Sequence, residues 1–175
     1  MKKTTIILTS LTALLLLFSC EKAKLLTFTL SYSSAFTISS GVPLNLPFDI
    51  PTPDVTTNSA SEFESNKTAA NLVKDVTLTD LKLTVTSPEG RNFDFLKAVH
   101  VFISLGGSDE TEIAYIDDIP KGVTSITLTS TNARLDKYIK ESTFSLKTRA
   151  TTREILTQDV GMLCNMSVKV TADPL

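Results

Sequence analysis

The sequence predicts an all-β protein, an antiparallel β-sandwich with one or two short crossover helices. Apolar and polar residues alternate along most of its 175 residues, which is the period of a strand with one buried face. Turn-forming residues separate these segments at intervals of roughly ten residues, too short for the helix that a parallel sheet needs between neighbouring strands. The 26 threonines also favour strands, because a β-branched side chain suits a pleated surface.

Several segments carry the strand pattern. The clearest is residues 26–32, where Leu, Phe, Leu and Tyr alternate with Thr, Thr and Ser. The other predicted strands are residues 36–46, 81–85, 99–105, 112–116, 123–129, 143–151 and 162–170. Between them lie turn sequences such as Ser-Pro-Glu-Gly at residues 87–90 and Pro-Lys-Gly at residues 120–122.

Three stretches depart from this alternation. Residues 59–73 mix good helix formers with weak periodicity, which predicts one or two short helices joined by a loop. Residues 132–140 begin with Asn132 as a predicted N-cap and place Leu135, Tyr138 and Ile139 on one helix face. Each helical stretch is expected to cross between the two sheets. The prolines of residues 42–53 predict an edge strand or an extended surface loop.

The first nineteen residues are predicted to be a signal peptide and are therefore set aside from the fold. Lys2 and Lys3 form a positive n-region, and residues 6–18 form an almost uninterrupted apolar run without charge. As a helix this run is roughly 20 Å long, whereas the hydrocarbon core of a bilayer is about 30 Å thick. The run is expected to be removed rather than retained as a membrane span.

Leu17, Phe18, Ser19 and Cys20 resemble the lipobox of bacterial lipoproteins. In that motif a leucine three residues before the cysteine and a small residue directly before it guide lipid transfer to the thiol and cleavage ahead of the cysteine. Phe18 is bulkier than the Ser, Ala or Val usual at its position. The resemblance implies that Cys20 is the first mature residue and the lipid attachment site. The alternatives are an uncleaved anchor and an ordinary secretory signal, whose peptidase prefers a small residue where Leu17 lies.

The lipoprotein interpretation divides the chain into a signal peptide (1–19), a lipidated cysteine with a short tether (20–24) and a single β-sandwich domain (25–175). The tether spans at most about 14 Å, so the domain is expected to lie against a membrane. Without Lys2 and Lys3 the chain has 15 basic and 19 acidic residues, a net charge of −4. Neither this balance nor any local cluster of Lys and Arg predicts binding of nucleic acid.

The residue types most often used in catalysis are scarce. Cys164 lies on the apolar face of a predicted strand without a basic neighbour, so it is expected to be a buried free thiol. His100 is the single histidine, which excludes a site with several histidine ligands. The sequence holds no G-x-S-x-G motif, no glycine-rich phosphate loop and no dinucleotide fingerprint. It therefore predicts a protein that is not an enzyme and has no cofactor.

Acidic residues cluster on both sides of one predicted strand. They are Asp109, Glu110 and Glu112 before or at its start, and Asp117 and Asp118 after it. Clustered carboxylates with free carbonyls suit Ca²⁺, so these five residues are candidate calcium ligands. Their spacing matches no EF-hand loop, and solvated hairpin ends account for the same residues.

Two segments carry a family resemblance. Residues 81–105, beginning "LKLTVTSPEG", and residues 135–170, beginning "LDKYIKESTF", resemble small lipoproteins of the Bacteroidota. Their strand-turn-strand rhythm is also similar to late-embryogenesis-abundant-type sandwiches. The first resemblance implies an envelope lipoprotein, and neither implies an activity or a functional residue.

Two functions agree with these observations. The first is a non-enzymatic interaction module, held to the membrane by lipid on Cys20 and in contact with another envelope protein. The second is a ligand-binding module for a glycan, a lipid or calcium on the same anchor. The chain has no Trp and three Tyr, which disfavours a sugar site built from aromatic faces. The expected location is the outer membrane, and the lack of an acidic run after Cys20 favours its periplasm-facing leaflet over the cell surface.

Overall fold

The structure is a computed structural model that describes residues 24–106 and 109–175. The predicted signal peptide, Cys20 and most of the tether lie outside the described residues, as do Gly107 and Ser108. The predictions made for these positions therefore rest on the sequence.

Within the described residues, ten strands form two antiparallel sheets, and this confirms the predicted all-β sandwich. The strands are β1 (Leu26–Ile38), β2 (Pro47–Pro51), β3 (Val55–Thr56), β4 (Val73–Ser87), β5 (Leu96–Ser104), β6 (Thr111–Ile116), β7 (Ser125–Thr127), β8 (Thr129–Ser130), β9 (Thr143–Thr152) and β10 (Val160–Ala172). The first sheet has the order β1-β10-β4-β7. The second sheet has the order β2-β9-β5-β6-β8, and β3 also pairs with β9.

Side chains alternate between the two faces along each long strand. In β1 the even-numbered residues from Leu30 to Ile38 are buried, and the odd-numbered residues beside them are exposed. In β10 Met162, Cys164 and Met166 are buried, as the sequence predicts. The inner faces of the two sheets share one hydrophobic core. Its largest fully buried side chains are those of Phe63, Phe93, Phe95, Tyr138 and Phe144.

Short helices connect some of these strands. They are α1 (Ser59–Ser65), α2 (Asp136–Ile139) and the 3₁₀ turns Ala70–Leu72 and Phe93–Phe95. Helix α1 lies between β3 of the second sheet and β4 of the first, so it is a crossover helix as predicted. Helix α2 connects β8 with β9 inside the second sheet, so the expectation that both helices cross holds for α1 alone.

Helix α2 begins later in the chain than the sequence predicts. Asn132 is not the N-cap, because it has a positive φ of 61° and the helix begins at Asp136. Leu135, Tyr138 and Ile139 are all fully buried, which confirms the predicted apolar face. No helix in the described part of the chain is both long and apolar enough to cross a bilayer.

Two predicted strands are divided differently in the structure. Residues 36–46 belong to β1 as far as Ile38, and the chain then turns through Gly41, where φ is 78°. The proline-rich stretch continues as β2, an edge strand with a proline at each end, as predicted. Residues 123–129 contain β7 of the first sheet and the start of β8 in the second, on either side of the buried Leu128. The chain therefore changes sheets within the alternating residues 126–129.

Candidate functional site

The five candidate calcium ligands lie at or near β6, and each faces a basic side chain. The pairs are Asp109 with Lys137 at 2.7 Å, Glu110 with Lys147 at 2.7 Å, Glu112 with His100 Nδ1 at 2.6 Å, Asp117 with His100 Nε2 at 3.4 Å and Asp118 with Arg153 at 3.3 Å. Among the residues that the structure describes, no three acidic, histidine or cysteine side chains are grouped so as to hold a metal ion. The structure thus brings these carboxylates to bases and not to one another.

An ion-pair ladder covers the outer face of the second sheet. Asp49 of β2 accepts hydrogen bonds from Arg149 of β9 at 2.7 and 3.4 Å, and Lys147 lies 3.0 Å from Asp49 and 2.7 Å from Glu110. The Arg149 guanidinium also lies 5.1 Å from the centre of the Phe102 ring. The hydrogen bond from Arg149 holds the pKa of the Asp49 carboxyl below its ordinary value. Sequence reasoning missed this ladder, because Asp49 and Arg149 are 100 positions apart.

His100 belongs to the same outer face. It lies on β5 between two carboxylates, and the Tyr115 ring stacks on it with centres 6.0 Å apart and 17° between the planes. Among the described residues, no serine, threonine or cysteine is hydrogen-bonded to its ring nitrogens. The nucleophile–base contact that a Ser-His-Asp triad requires is therefore not formed in this part of the chain.

Cys164 is a buried thiol, as predicted. It lies on β10 with 3% of its surface exposed, and no disulfide joins it to another described residue. Burial raises the pKa of the thiol to about 12. Because the thiolate is the reactive form, both the burial and the raised pKa disfavour reaction of Cys164 near neutral pH.

Strand β1 forms one edge of the first sheet. It is 13 residues long and pairs with β10 without a register shift, from Leu26 opposite Ala172 to Ile38 opposite Val160. About half of its backbone N–H and C=O groups point away from β10. No backbone group among the described residues is hydrogen-bonded to that outer side. A long row of main-chain donors and acceptors is thus open to a further strand.

Strand β1 itself carries none of the residues that usually protect an edge. Proteins commonly guard an edge strand with charged side chains, proline, a bulge or a short length. Residues 25–48 contain no Asp, Glu, Lys or Arg, and β1 contains no proline. Its exposed side chains are threonine, serine and alanine. Alternation in the sequence predicts β1 but not its position at an edge; the available signal is this uncharged stretch, the longest after the predicted leader.

A cleft of about 340 Å³ lies beside β1, lined by residues 29–32 on one side and by residues 56–58 and Glu62 on the other. Tyr32 is 9% exposed there, and its ring meets that of Phe144 edge to face at 5.4 Å. Its hydroxyl has no hydrogen-bond partner among the described residues. Burial, followed by the negative charge of Glu62, raises the pKa of this phenol to about 12. Near neutral pH, Tyr32 is therefore a neutral phenol whose hydroxyl is unpartnered.

Comparisons with known proteins give weak structural similarities only. No protein-family model matches the chain, and no curated protein sequence matches it significantly. Among solved structures it is similar to the decameric BFDV capsid protein, with a TM-score of 0.39 and 9% identity over 85% of this chain and 99% of that one. The capsid of Helicobacter pylori bacteriophage KHP30 gives a TM-score of 0.37 with 8% identity over 85% and 93%, and FLHE gives 0.36 with 12% over 84% and 97%. These values assign neither a family nor a function.

Proposed function

We propose that this chain is a membrane-anchored, non-enzymatic lipoprotein that serves as an interaction module of the cell envelope. The observation that carries this proposal is the β1 edge, which is 13 residues long and has no neighbour on its outer side among the described residues. When a strand is added to such an edge, main-chain hydrogen bonds provide the affinity. This mode of binding requires neither a catalytic group nor a cofactor.

The predicted anchor is close to this edge along the chain. Residues 21–25 separate Cys20 from Leu26, where β1 begins, and they span at most about 18 Å when extended. Lipid on Cys20 would therefore hold β1 near the membrane surface. On the periplasm-facing leaflet of the outer membrane, the proteins within reach are other envelope proteins.

The polar side chains support a non-enzymatic role. The five candidate calcium ligands are paired with basic side chains. Both ring nitrogens of His100 contact a carboxylate, Glu112 at Nδ1 and Asp117 at Nε2. The Cys164 thiol is buried, and its pKa is raised to about 12. These groups are arranged to stabilise the outer face and the core of the sandwich.

The anchor is tested by growing cells with radiolabelled palmitate. We expect the full-length protein to be labelled, Cys20→Ala to lose the label, and Cys164→Ala to keep it. Cys164→Ala is the matched control, because it removes the other cysteine of the chain. Equal labelling of the wild type and Cys20→Ala would contradict the lipid anchor.

The interaction role is tested by placing a photo-crosslinking amino acid at Ser33, an exposed residue of β1, in intact cells. The control position is Thr129, an exposed residue of β8 at another sheet edge. We expect reproducible crosslinked products from position 33 and at most background from position 129. Recovery of no reproducible product from position 33 would contradict the proposal.

A second function, ligand binding, is favoured by the cleft beside β1. Thr29, Ser31, Asn58 and Glu62 line it together with Tyr32, whose hydroxyl is buried and has no partner among the described residues. Such a lining suits the hydroxyl groups of a glycan, which hydrogen-bond without an aromatic platform. A thermal-shift screen of the full chain with oligosaccharides tests this function: a binder raises the melting temperature, and no shift with any sugar contradicts it.

A further inference from the structure

We infer that the partner of the β1 edge is a second copy of this chain, joined to the first by an antiparallel β1–β1 pair around a two-fold axis at Tyr32. The observation is that β1 reads nearly the same in both directions from Tyr32. The equivalent positions are Ser31 and Ser33, Thr29 and Ala35, Phe28 and Phe36, Thr27 and Thr37, and Leu26 and Ile38. Leu30 and Ser34 form the one clearly unlike pair.

The near-symmetry of the β1 sequence about Tyr32 matters because two identical copies would pair around a two-fold axis. In an interface between identical copies, residue i of one copy contacts residue j of the other, and j contacts i. If Tyr32 lies opposite its own copy, Thr27 lies opposite Thr37 and Ser31 lies opposite Ser33. Threonine and serine pairs across neighbouring strands stabilise a sheet through their hydroxyls. Ser31 already makes such a contact within the chain, at 3.2 Å from the Ser167 hydroxyl across β1 and β10.

The charge distribution also favours a second copy. Self-pairing brings each residue of β1 close to residues of the same strand, so a charged residue near its middle would approach its own charge. No charged residue lies between Lys24 and Asp49, so no residue of β1 meets its own charge across the pair. The acidic residue that lines the cleft beside residues 29–32 is Glu62 of α1. The joined sheet would have eight strands, in the order β7-β4-β10-β1-β1-β10-β4-β7, following the order of the first sheet.

The other outermost strands of the described sheets fit self-pairing poorly. β2 carries a proline at each end and has Asp49 in its middle, so a two-fold pair would place like charges face to face. β7 has 3 residues and β8 has 2, which gives few hydrogen bonds. Strand β1 alone among these combines length, neutrality and self-complementarity.

The proposed self-pairing rests on the proposed lipoprotein function, because the lipid anchor would hold both copies in one membrane. A single strand pair is a small interface, and confinement of both copies to one membrane leaflet raises their effective concentration. In the antiparallel pair the two β1 N-termini lie about 40 Å apart at opposite ends. Both predicted anchors reach one bilayer when the two-fold axis is perpendicular to it.

The register is tested by disulfide formation in membranes of cells that express two full-length copies with different tags. One copy carries Thr27→Cys and the other Thr37→Cys, two exposed positions that lie opposite each other in the proposed pair. We expect a disulfide-linked pair of the two tags after mild oxidation.

The control is two tagged copies that both carry Thr27→Cys. Their cysteines would lie about 33 Å apart in this register, far beyond the roughly 7 Å between Cα atoms that a disulfide tolerates, so we expect at most one tenth of the yield. Buried Cys164 is expected to add no background.

A second variant tests the interface without relying on cysteine geometry. Ser31→Lys with Ser33→Lys, added to both tagged copies, would place lysines directly opposite each other beside the axis. We expect the yield of the disulfide-linked pair to fall at least tenfold. The matched control, Thr127→Lys with Thr129→Lys, adds the same charge at exposed residues of β7 and β8, and we expect it to leave the yield unchanged.

Three results would overturn the inference. The first is no linked pair while both cysteine variants unfold at the wild-type temperature, and the second is an equal yield in the Thr27→Cys control. The third is linkage of either cysteine to a protein of different mass, which would replace the second copy by another envelope protein and keep the proposed function. Palmitate labelling of the same cells reports separately on the anchor, so its failure is distinguishable from failure of the pair.

Discussion

Strands β1 and β2 are the edges of the two sheets on the same side of the sandwich, and they are built in opposite ways. β2 has 5 residues, a proline at each end and Asp49 paired with Arg149 and Lys147. β1 has 13 residues and neither proline nor charge. Prolines and charges stop a foreign strand from adding to an edge. β2 is thus protected against strand addition, and β1 is open to it.

The inner sides of the two strands are alike. Leu30 of β1 is 4% exposed and Ile50 of β2 is 3% exposed, so each strand buries an aliphatic side chain in the same core. The difference between the strands is therefore confined to their outward groups. Since one edge is protected within the same molecule, the exposed backbone of β1 agrees with the proposed binding role.

The largest expected effect tests whether the buried side chains of β1 and β2 contribute equally to stability. Leu30→Ala and Ile50→Ala each remove a buried aliphatic group, and we expect each to lower the free energy of unfolding by about 2–5 kcal/mol. Thr29→Ala is the matched control on the exposed side of β1, with an expected change within about 0.5 kcal/mol. Chemical denaturation measures all three. A loss below about 1 kcal/mol for Leu30→Ala alone would show that β1 is loosely packed, and the comparison between the edges would then fail.

Much of the local structure could be predicted from the sequence. Alternation predicts β1, β5 and β10, because a strand with one buried face reads the same wherever it lies in a sheet. For the same reason alternation does not report which strands are neighbours. Residues 126–129 show this limit, since they alternate without a break while the chain passes from the first sheet to the second.

The candidate sites were less predictable for the same reason. The sequence shows the acidic residues around β6 as a group, but their partners come from distant positions. Lys137 is 28 residues from Asp109, and Lys147 is 37 residues from Glu110. The role of β1 depends on its place at the end of the strand order, which long-range pairing decides. The sequence shows the uncharged stretch, but only the position of β1 at a sheet edge makes its lack of charge relevant to strand addition.

The next effect concerns the buried hydroxyl of Tyr32, a residue of the open strand β1. A buried hydroxyl without a partner costs about 1–3 kcal/mol, so we expect Tyr32→Phe to raise the free energy of unfolding by roughly 1 kcal/mol. The matched control is Tyr138→Phe, because the Tyr138 hydroxyl donates a hydrogen bond to Thr111 at 2.7 Å. We expect that variant to lose about 0.5–1.5 kcal/mol. Destabilisation by Tyr32→Phe would contradict this expectation. It would show that the Tyr32 hydroxyl makes a hydrogen bond to a partner, a ligand or solvent.

The smallest expected effect concerns the protected edge. Asp49→Asn keeps the size of the side chain and removes its charge, so the attraction to Arg149 and Lys147 is lost. Because this ladder is largely exposed, we expect a loss of less than about 1 kcal/mol in the free energy of unfolding. Denaturation at low ionic strength and in about 1 M salt measures it, and salt should shrink the difference from the wild type.

The pH dependence of the same variant separates charge from packing at β2. Arg149 lowers the pKa of Asp49 in the folded protein, so the carboxylate stabilises the fold above the unfolded value of about 3.9. That contribution is lost as the pH falls through the lower, folded value, where the wild-type side chain also becomes neutral. We therefore expect the wild type and Asp49→Asn to differ by a constant amount between about pH 5 and 7 and to converge below about pH 4. A difference in the free energy of unfolding that persists at acid pH would show that hydrogen-bond geometry, and not charge, stabilises β2. The difference between β2 and the neutral β1 would then not be electrostatic.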